Sequence, residues 1–276
     1  MTITILIDNA LPLNENNLVA EHGLSLYIKT DNNEILCDTG ASGRFLDNAK
    51  SIGLDIEKSH FAFISHGHND HCGGIGNFFE AVTLKNVYMH KDILTEQYYS
   101  SRKGAVRNIS CNNDALTRHI NRIVTIEGSQ QIAKDAFAIQ CKEEKFTKPY
   151  GNRFLTKNNG EKVVFDNFTH ELSLCFTTPQ GLVIISPCSH CGVINIMEEC
   201  RKVTGRDKIH AFIGGFHFVE GEKCIDETEC FANDITKYYP DTIFYTGHCT
   251  CDTAKEILAK RLENIRFFTT GTIIEI

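Results

Sequence analysis

Residues 66–71 read His66-Gly67-His68-Asn69-Asp70-His71, three imidazoles and a carboxylate in six positions, followed by Cys72 and the pair Gly73-Gly74. Imidazole nitrogen and carboxylate oxygen are donors suited to zinc, iron, manganese or nickel. The apolar run Phe61-Ala62-Phe63-Ile64 leads into them at strand length, and the glycines behind allow a tight turn. On an extended segment His66 and His68 face the same way, two residues apart. Asp70 and His71 are adjacent, point to different sides, and could serve a second ion. A solvated polar loop is the competing reading, but ligand types packed this densely behind a buried-looking strand have few other uses.

Other polar groups carry weaker signals. His217 follows Gly214-Gly215-Phe216 at the end of an apolar run, where glycines let a ligand approach the backbone, so it is a candidate general acid or a satisfied loop histidine. Glu21 and His22 precede a strand and could reach a pocket from its rim or simply face water. Arg102, Lys103 and Arg107 surround Gly104 in an otherwise acidic chain, a candidate phosphate clamp or a solvated charged face. Cys188-x-x-Cys191 and Cys249-x-Cys251 could together make a four-thiolate zinc or iron–sulfur site, with idle buried thiols as the alternative.

The elements that must position these groups alternate. Strands are predicted over residues 2–7, 24–30 and 34–37, a helix over 45–52 closed by Gly53, and the motif strand over 61–64. A short strand over 87–90 and a helix over 93–101 follow, after which residues 108–160 alternate polar loops with short apolar runs. Regularity returns with a hairpin over 172–177 and 182–185, turning at Pro179-Gln180-Gly181. Helices over 195–203, 226–238 and 253–262 then alternate with strands over 209–213 and 242–245, and two short strands over 267–276 close the chain. This order predicts an α/β fold with ligands gathered at strand ends. Residues 1–276 are expected to form a single domain, with 86–160 as a lid or substrate-shaping insertion.

Bulk properties narrow the partners. A chain of 276 residues with 42% hydrophobic residues can bury a sizeable core. A net charge of −7 disfavours nucleic acid and anionic membranes, which need a basic surface, and points to a small-molecule substrate. No segment approaches the roughly 18–20 apolar residues that span a bilayer, and Met1-Thr2-Ile3-Thr4-Ile5 lacks a basic leader, so a cytoplasmic protein is expected. The twelve cysteines fit reduced thiols better than a secreted disulfide scaffold.

His66-x-His68-x-Asp70-His71, after a strand and before Gly73-Gly74, resembles the signature of the metallo-β-lactamase superfamily. Asp8-Asn9, Glu21-His22-Gly23-Leu24-Ser25, Cys37-Asp38-Thr39-Gly40, Pro187-Cys188-Ser189-His190-Cys191-Gly192, Gly214-Gly215-Phe216-His217 and Gly247-His248-Cys249-Thr250 follow the order of one subgroup. That subgroup is named after 7,8-dihydropterin-6-methyl-4-(β-D-ribofuranosyl)aminobenzene-5′-phosphate synthase. The resemblance implies a metallo-β-lactamase-like αβ/βα sandwich of two mixed sheets with flanking helices. It also implies that Asp38 supports a metal-binding histidine from behind, with a turn or helix cap as its plain alternative, and that His248 is the last metal ligand. The superfamily usually places a bridging aspartate near residue 190 and a histidine about twenty residues earlier. Here the later position offers His190 and the earlier stretch is Asp166-Asn167-Phe168-Thr169-His170-Glu171, so Asp166 and His190 are expected as ligands with imidazole and carboxylate exchanged.

The expected metal set is His66, His68, Asp70, His71, His190, His248 and Asp166, with Asp70 and His217 as candidate catalytic groups and Glu21, His22, Arg102 and Arg107 as candidate substrate contacts. Two divalent ions are expected, zinc first, iron or manganese as alternates. Bound water then falls in pKa from about 15.7 towards 7, which suits hydrolysis of a phosphate or carboxylic ester. The subgroup instead implies a pterin-related condensation in which diphosphate departs. Rival readings are a di-iron redox protein and a non-catalytic ligand sensor on the same fold.

Overall fold

The computed structural model describes residues 1–13 and 17–276. In chain order its strands begin with β1 (Thr2–Ile7), β2 (Ser25–Lys29), β3 (Glu34–Cys37), β4 (Phe61–Phe63), β5 (Val87–His90) and β6 (Gln97–Ser100). Next come β7 (Arg107–Asn108), β8 (Ile123–Ile126), β9 (Gln130–Ala133), β10 (Ala136–Gln140), β11 (Leu155–Asn158) and β12 (Val163–Phe165). The last are β13 (Leu172–Thr178), β14 (Gly181–Ile185), β15 (Ile209–Ile213), β16 (Ile243–Thr246), β17 (Ile265–Phe267) and β18 (Ile273–Glu275). The α-helices are α1 (Arg44–Ser51), α2 (Asn69–Cys72), α3 (Ile75–Ala81), α4 (Asn113–Arg118), α5 (Val193–Thr204), α6 (Cys224–Tyr238) and α7 (Asp252–Arg261). The chain divides into two compact units. One comprises Met1–Glu127, Leu155–Leu172 and Thr269–Ile276, the other Gly128–Phe154 and Ser173–Phe268.

The first unit holds a seven-stranded mixed sheet in the order β18-β1-β2-β3-β4-β5-β8. Its β18-to-β3 part is antiparallel, and its β3-to-β8 part is parallel. Parallel neighbours need crossovers, which α1 supplies between β3 and β4, and α2 and α3 between β4 and β5. These crossovers bury Phe45, Ala49, Ile75, Phe78 and Phe79 in one core with Leu6, Leu36, Ala62, Ile64, Val87 and Met89 from the sheet. Each large side chain so buried stabilises the unit by about 1.5–3 kcal/mol. The motif strand β4 is therefore central, with β3 and β5 hydrogen-bonded on either side.

Residues 97–165 also contribute a four-stranded sheet, β12-β11-β6-β7. This corrects the helix predicted over 93–101. The chain makes a 3₁₀ turn over Lys91–Leu94 and then the strand β6. Gln97-Tyr98-Tyr99-Ser100 pairs antiparallel with Leu155–Asn158, and the buried Lys157 ammonium meets Glu96 at 2.9 Å. Pairing with a segment this distant in sequence overrides a weak local helical pattern, and tyrosines suit a strand. The remainder of the predicted insertion is shared out, with β8 joining the first sheet and β9 and β10 the second unit.

The second unit has the sheet β17-β16-β15-β14-β13-β10-β9. Strands β14 to β17 run parallel, so the ends of β14, β15 and β16 emerge along the same edge. Helix α6 packs through Phe231 against Phe216, Phe218 and Phe244, ring centroids 5.2–6.2 Å apart. Among the described residues no helix is long and apolar enough to cross a membrane. Two mixed sheets with flanking helices match the expected fold class.

Candidate metal centre

In the first unit the site grows from the carboxyl ends of β3 and β4. Beyond β3, Asp38 takes a left-handed backbone, φ 58°, which aspartate tolerates better than most residues. Its Oδ1 accepts the Ser65 amide N–H at 2.7 Å, and its Oδ2 accepts the Ser65 hydroxyl and His71 Nδ1–H, each at 2.7 Å. Because the Ser65 hydroxyl proton is committed to Asp38, its oxygen must accept from His66 Nδ1 at 2.9 Å. One carboxylate therefore sets the tautomers of two imidazoles, leaving Nε2 as the lone-pair nitrogen of both His66 and His71.

His68, in extended conformation, caps the short helix α2, which carries Asp70 and His71. His66 Nε2 lies 3.1 Å from His68 Nδ1, and the His66 and His71 ring centroids are 4.2 Å apart. Asp70 Oδ2 is 3.9 Å from His71 Nε2 and 3.4 Å from Nε2 of the exposed His22. Burial, with His170 nearby, pulls the His68 pKa down to about 3, so it is neutral near pH 7, the form a metal requires. Buried neutral imidazoles with one carboxylate suit a divalent cation.

Gly67 permits this turn. A Cβ there would lie 2.2 Å from the ring of fully buried Tyr98. Gly67→Ala is expected to lower the thermal midpoint by several degrees through overpacking, and Tyr98→Leu in the same chain to restore part of the loss. An unchanged midpoint in the single variant would refute the contact.

Asp166 and His170 pair with each other. His170 Nδ1 accepts the Gly67 N–H at 3.1 Å, so its Nε2–H donates to Asp166 Oδ2 at 3.0 Å, while Asp166 Oδ1 accepts the Phe168 N–H at 2.8 Å. Burial works to raise the Asp166 carboxyl, and His170 beside it outweighs that, holding it below the usual range. Glu21 secures the loop after β3, accepting the Ala41 and Ser42 amides and the Ser42 hydroxyl. Arg102, between β6 and β7, and Arg107, opening β7, are exposed.

In the second unit the candidate groups follow three parallel strands: Cys188 and His190 after β14, His217 after β15, His248 and Cys249 after β16. Ser189, His217 and His248 all have positive φ, and non-glycine strain of this kind gathers at functional sites. Gly214 is required, since a Cβ there would fall 1.8 Å from the Ser186 carbonyl oxygen. The Asn152 amide nitrogen donates to the His190 carbonyl at 2.8 Å, which fixes the flip of that amide. Its oxygen therefore accepts His190 Nδ1–H at 3.1 Å, leaving Nε2 as the lone-pair nitrogen.

The His190 and His217 ring centroids are 4.2 Å apart. Cys188 Sγ lies 3.4 Å from Cys249 Sγ and 3.5 Å from His217 Nδ1, and the His217 amide donates to Cys249 Sγ at 3.2 Å. Burial works to raise the Cys249 thiol, but hydrogen bonds from Cys188 and His217 more than offset it, leaving it well below its usual range. Cys251 sits 3.2 Å from Cys224 instead, so the thiols group differently from the four-cysteine cluster weighed from sequence.

Within the first unit, then, His66, His68, Asp70, His71, Asp38 and His22 come together, while Asp166 engages His170. Within the second, His190, His217 and His248 gather around Cys188 and Cys249. Sequence reasoning missed Ser65 and Asn152, and it weighed Cys188 and Cys249 only as part of a four-thiolate cluster with Cys191 and Cys251. Ser65 and Asn152 left no signal, but Cys188 stands two residues from His190, the same spacing that singled out His66 and His68.

Residues 19–125 match the family model of the Metallo-beta-lactamase superfamily. A Methanocaldococcus jannaschii 7,8-dihydropterin-6-methyl-4-(β-D-ribofuranosyl)-aminobenzene-5′-phosphate synthase is 25% identical, covering 93% of this chain and 90% of that one. An uncharacterised protein of the same organism, MJ0448, is 27% identical over 99% of this chain and all of its own length. Among solved structures Tm1679, described as a metal-dependent hydrolase of the β-lactamase superfamily, superposes with a TM-score of 0.83 at 27% identity, covering 100% of this chain and 99% of that one. That fold runs the length of the chain, and His66-x-His68-x-Asp70-His71 lies inside the matched stretch, so the chain is similar to the metallo-β-lactamase superfamily in both fold and motif.

Proposed function

We propose that this chain is a divalent-metal hydrolase acting on a small phosphate-containing or ester substrate. The observation that carries the reading is the Asp38 carboxylate, which through Ser65 and directly through His71 leaves two Nε2 lone pairs in one buried cluster with His68. Within the first unit the proposed ligands are His66, His68, Asp70 and His71, and within the second His190 and His248; two ions are proposed, zinc first and iron or manganese as alternates. Asp166 enters the proposal behind His170, because its carboxylate already accepts from His170 and the Phe168 amide.

When bound, such ions supply Lewis acidity toward a phosphoryl or carbonyl oxygen and toward water. The chain does the rest. Asp38 and Asn152 hold imidazoles in the ligating tautomer, and His22 steadies Asp70. His217 delivers a proton to the leaving group. Arg102 and Arg107 offer guanidinium forks to a phosphate. Residues 86–160 shape the substrate site, a role supported by Tyr98, whose ring centroid is 5.8 Å from that of His68. A second reading, group transfer with departure of diphosphate, is favoured by likeness to the synthase along most of the chain.

The test is metal analysis of anaerobically purified protein, followed by turnover of phosphomonoesters, phosphodiesters and carboxylic esters. The condensation of a dihydropterin diphosphate with a ribosylaminobenzene phosphate is assayed beside them. Hydrolysis that needs zinc or manganese and is lost in His68→Ala is expected, with an Arg102→Ala/Arg107→Ala variant raising KM for phosphorylated substrates alone. Condensation without hydrolysis would replace the hydrolase reading by the transferase one. Protein that binds no divalent metal would end both.

A further inference from the structure

Beside the nitrogen and oxygen donors of the second unit stand two sulfur atoms, Cys188 Sγ and Cys249 Sγ, 3.4 Å apart. We infer that Cys188 is a thiolate metal ligand shared between two donor sets, so that the ions bound are thiophilic, zinc or ferrous iron in preference to manganese or magnesium. This rests on the metal-dependent reading and specifies the donors of that same site. Within the second unit Cys188 Sγ belongs to two groups whose donor atoms all lie within 4.8 Å of one another, one containing His190 and His217 and the other His248 and Cys249. It is the member common to both.

Three further observations support a ligating sulfur over two thiols that merely pack. First, the backbone is pared away around the pair: a Cβ on Gly215 would lie 2.4 Å from Cys249 Sγ. Second, the sulfurs lie among imidazoles. His217 Nδ1 stands 3.5 Å from Cys188, where it hydrogen-bonds the sulfur and keeps Nε2 for proton transfer, and His190 has its Nε2 lone pair fixed by Asn152. Third, the residues that present these donors, Ser189, His217 and His248, hold left-handed backbone that packing alone would not favour. Thiolate with imidazole is the donor mix that selects zinc, ferrous iron and cobalt, whereas manganese and magnesium prefer all-oxygen or oxygen–nitrogen sets.

Cobalt(II) gives a readout independent of turnover. Metal-free protein reconstituted with cobalt is expected to develop a near-ultraviolet thiolate-to-cobalt charge-transfer band. Cys188→Asp, which keeps a donor at the position, should still bind cobalt but lose most of the band, and its preference for zinc over manganese should fall by about tenfold or more. Cys249→Ser should lose a smaller part of the band. Cys230→Ser, at an exposed thiol outside both donor sets, should change neither property. Cobalt bound by the native chain without the band, or a band undiminished in Cys188→Asp, overturns the sulfur ligand while leaving the metal-dependent reading intact. A native chain that binds no cobalt overturns both.

Discussion

Asp38→Ala should be the most damaging substitution of a residue outside the proposed ligand set. It strands three buried donors, the Ser65 amide, the Ser65 hydroxyl and His71 Nδ1–H. Unsatisfied buried donors cost about 1–3 kcal/mol each, and alanine at φ 58° adds about 1 kcal/mol of backbone strain. A loss of at least about 3 kcal/mol follows, which for a chain of this size lowers the thermal midpoint by roughly 6–12 °C. Divalent-metal affinity should drop about 10–100-fold as His66 and His71 lose their tautomeric constraint. Asp38→Asn separates the two readings of this residue. Asparagine tolerates the left-handed backbone as well as aspartate does, so a mere turn residue would accept it with little change in either quantity. If it orients the imidazoles, one carboxamide cannot accept all three donors, and metal affinity must fall. Wild-type affinity and melting temperature in Asp38→Asn would therefore sink the orienting role.

His217 should show its effect in rate. A general acid is worth about 10²–10⁴-fold, so His217→Asn, chosen because asparagine accepts φ 55°, should lower kcat by that order on substrates with alkoxide leaving groups. On an aryl ester, whose leaving group departs without a proton, the loss should shrink to a few-fold. That split distinguishes proton delivery from damage to the site, because a distorted site slows both substrates alike. Equal losses on the two would remove His217 from the proton path and leave it as a partner of Cys188 and Cys249.

What could be read from the chain alone was whatever is local. The strand of Phe61-Ala62-Phe63, the histidines two apart behind it and the glycine turn lie within a dozen or so residues, and their spacing specified the structure that formed. The hairpin from residue 172 and the strand after it were legible for the same reason, since β13, β14 and β15 are buried along most of their length. Gly214, demanded by contact with Ser186, already marked the end of β15 as a close backbone approach.

Tertiary structure decided what depends on partners distant in sequence. Residues 97–100 became a strand because residues 155–158 pair with them, and no local pattern announces that. Asp166, a ligand candidate by position, is held by His170 and a backbone amide, contacts that its spacing did not announce. Which nitrogen of each imidazole keeps its lone pair follows from Asp38, Ser65 and Asn152, residues up to 38 positions away. Cys188 and Cys249 are 61 residues apart and meet because parallel strands deliver their ends to one edge of a sheet. Sequence names the donor atoms available; only the pairing of strands determines which of them share a point in space.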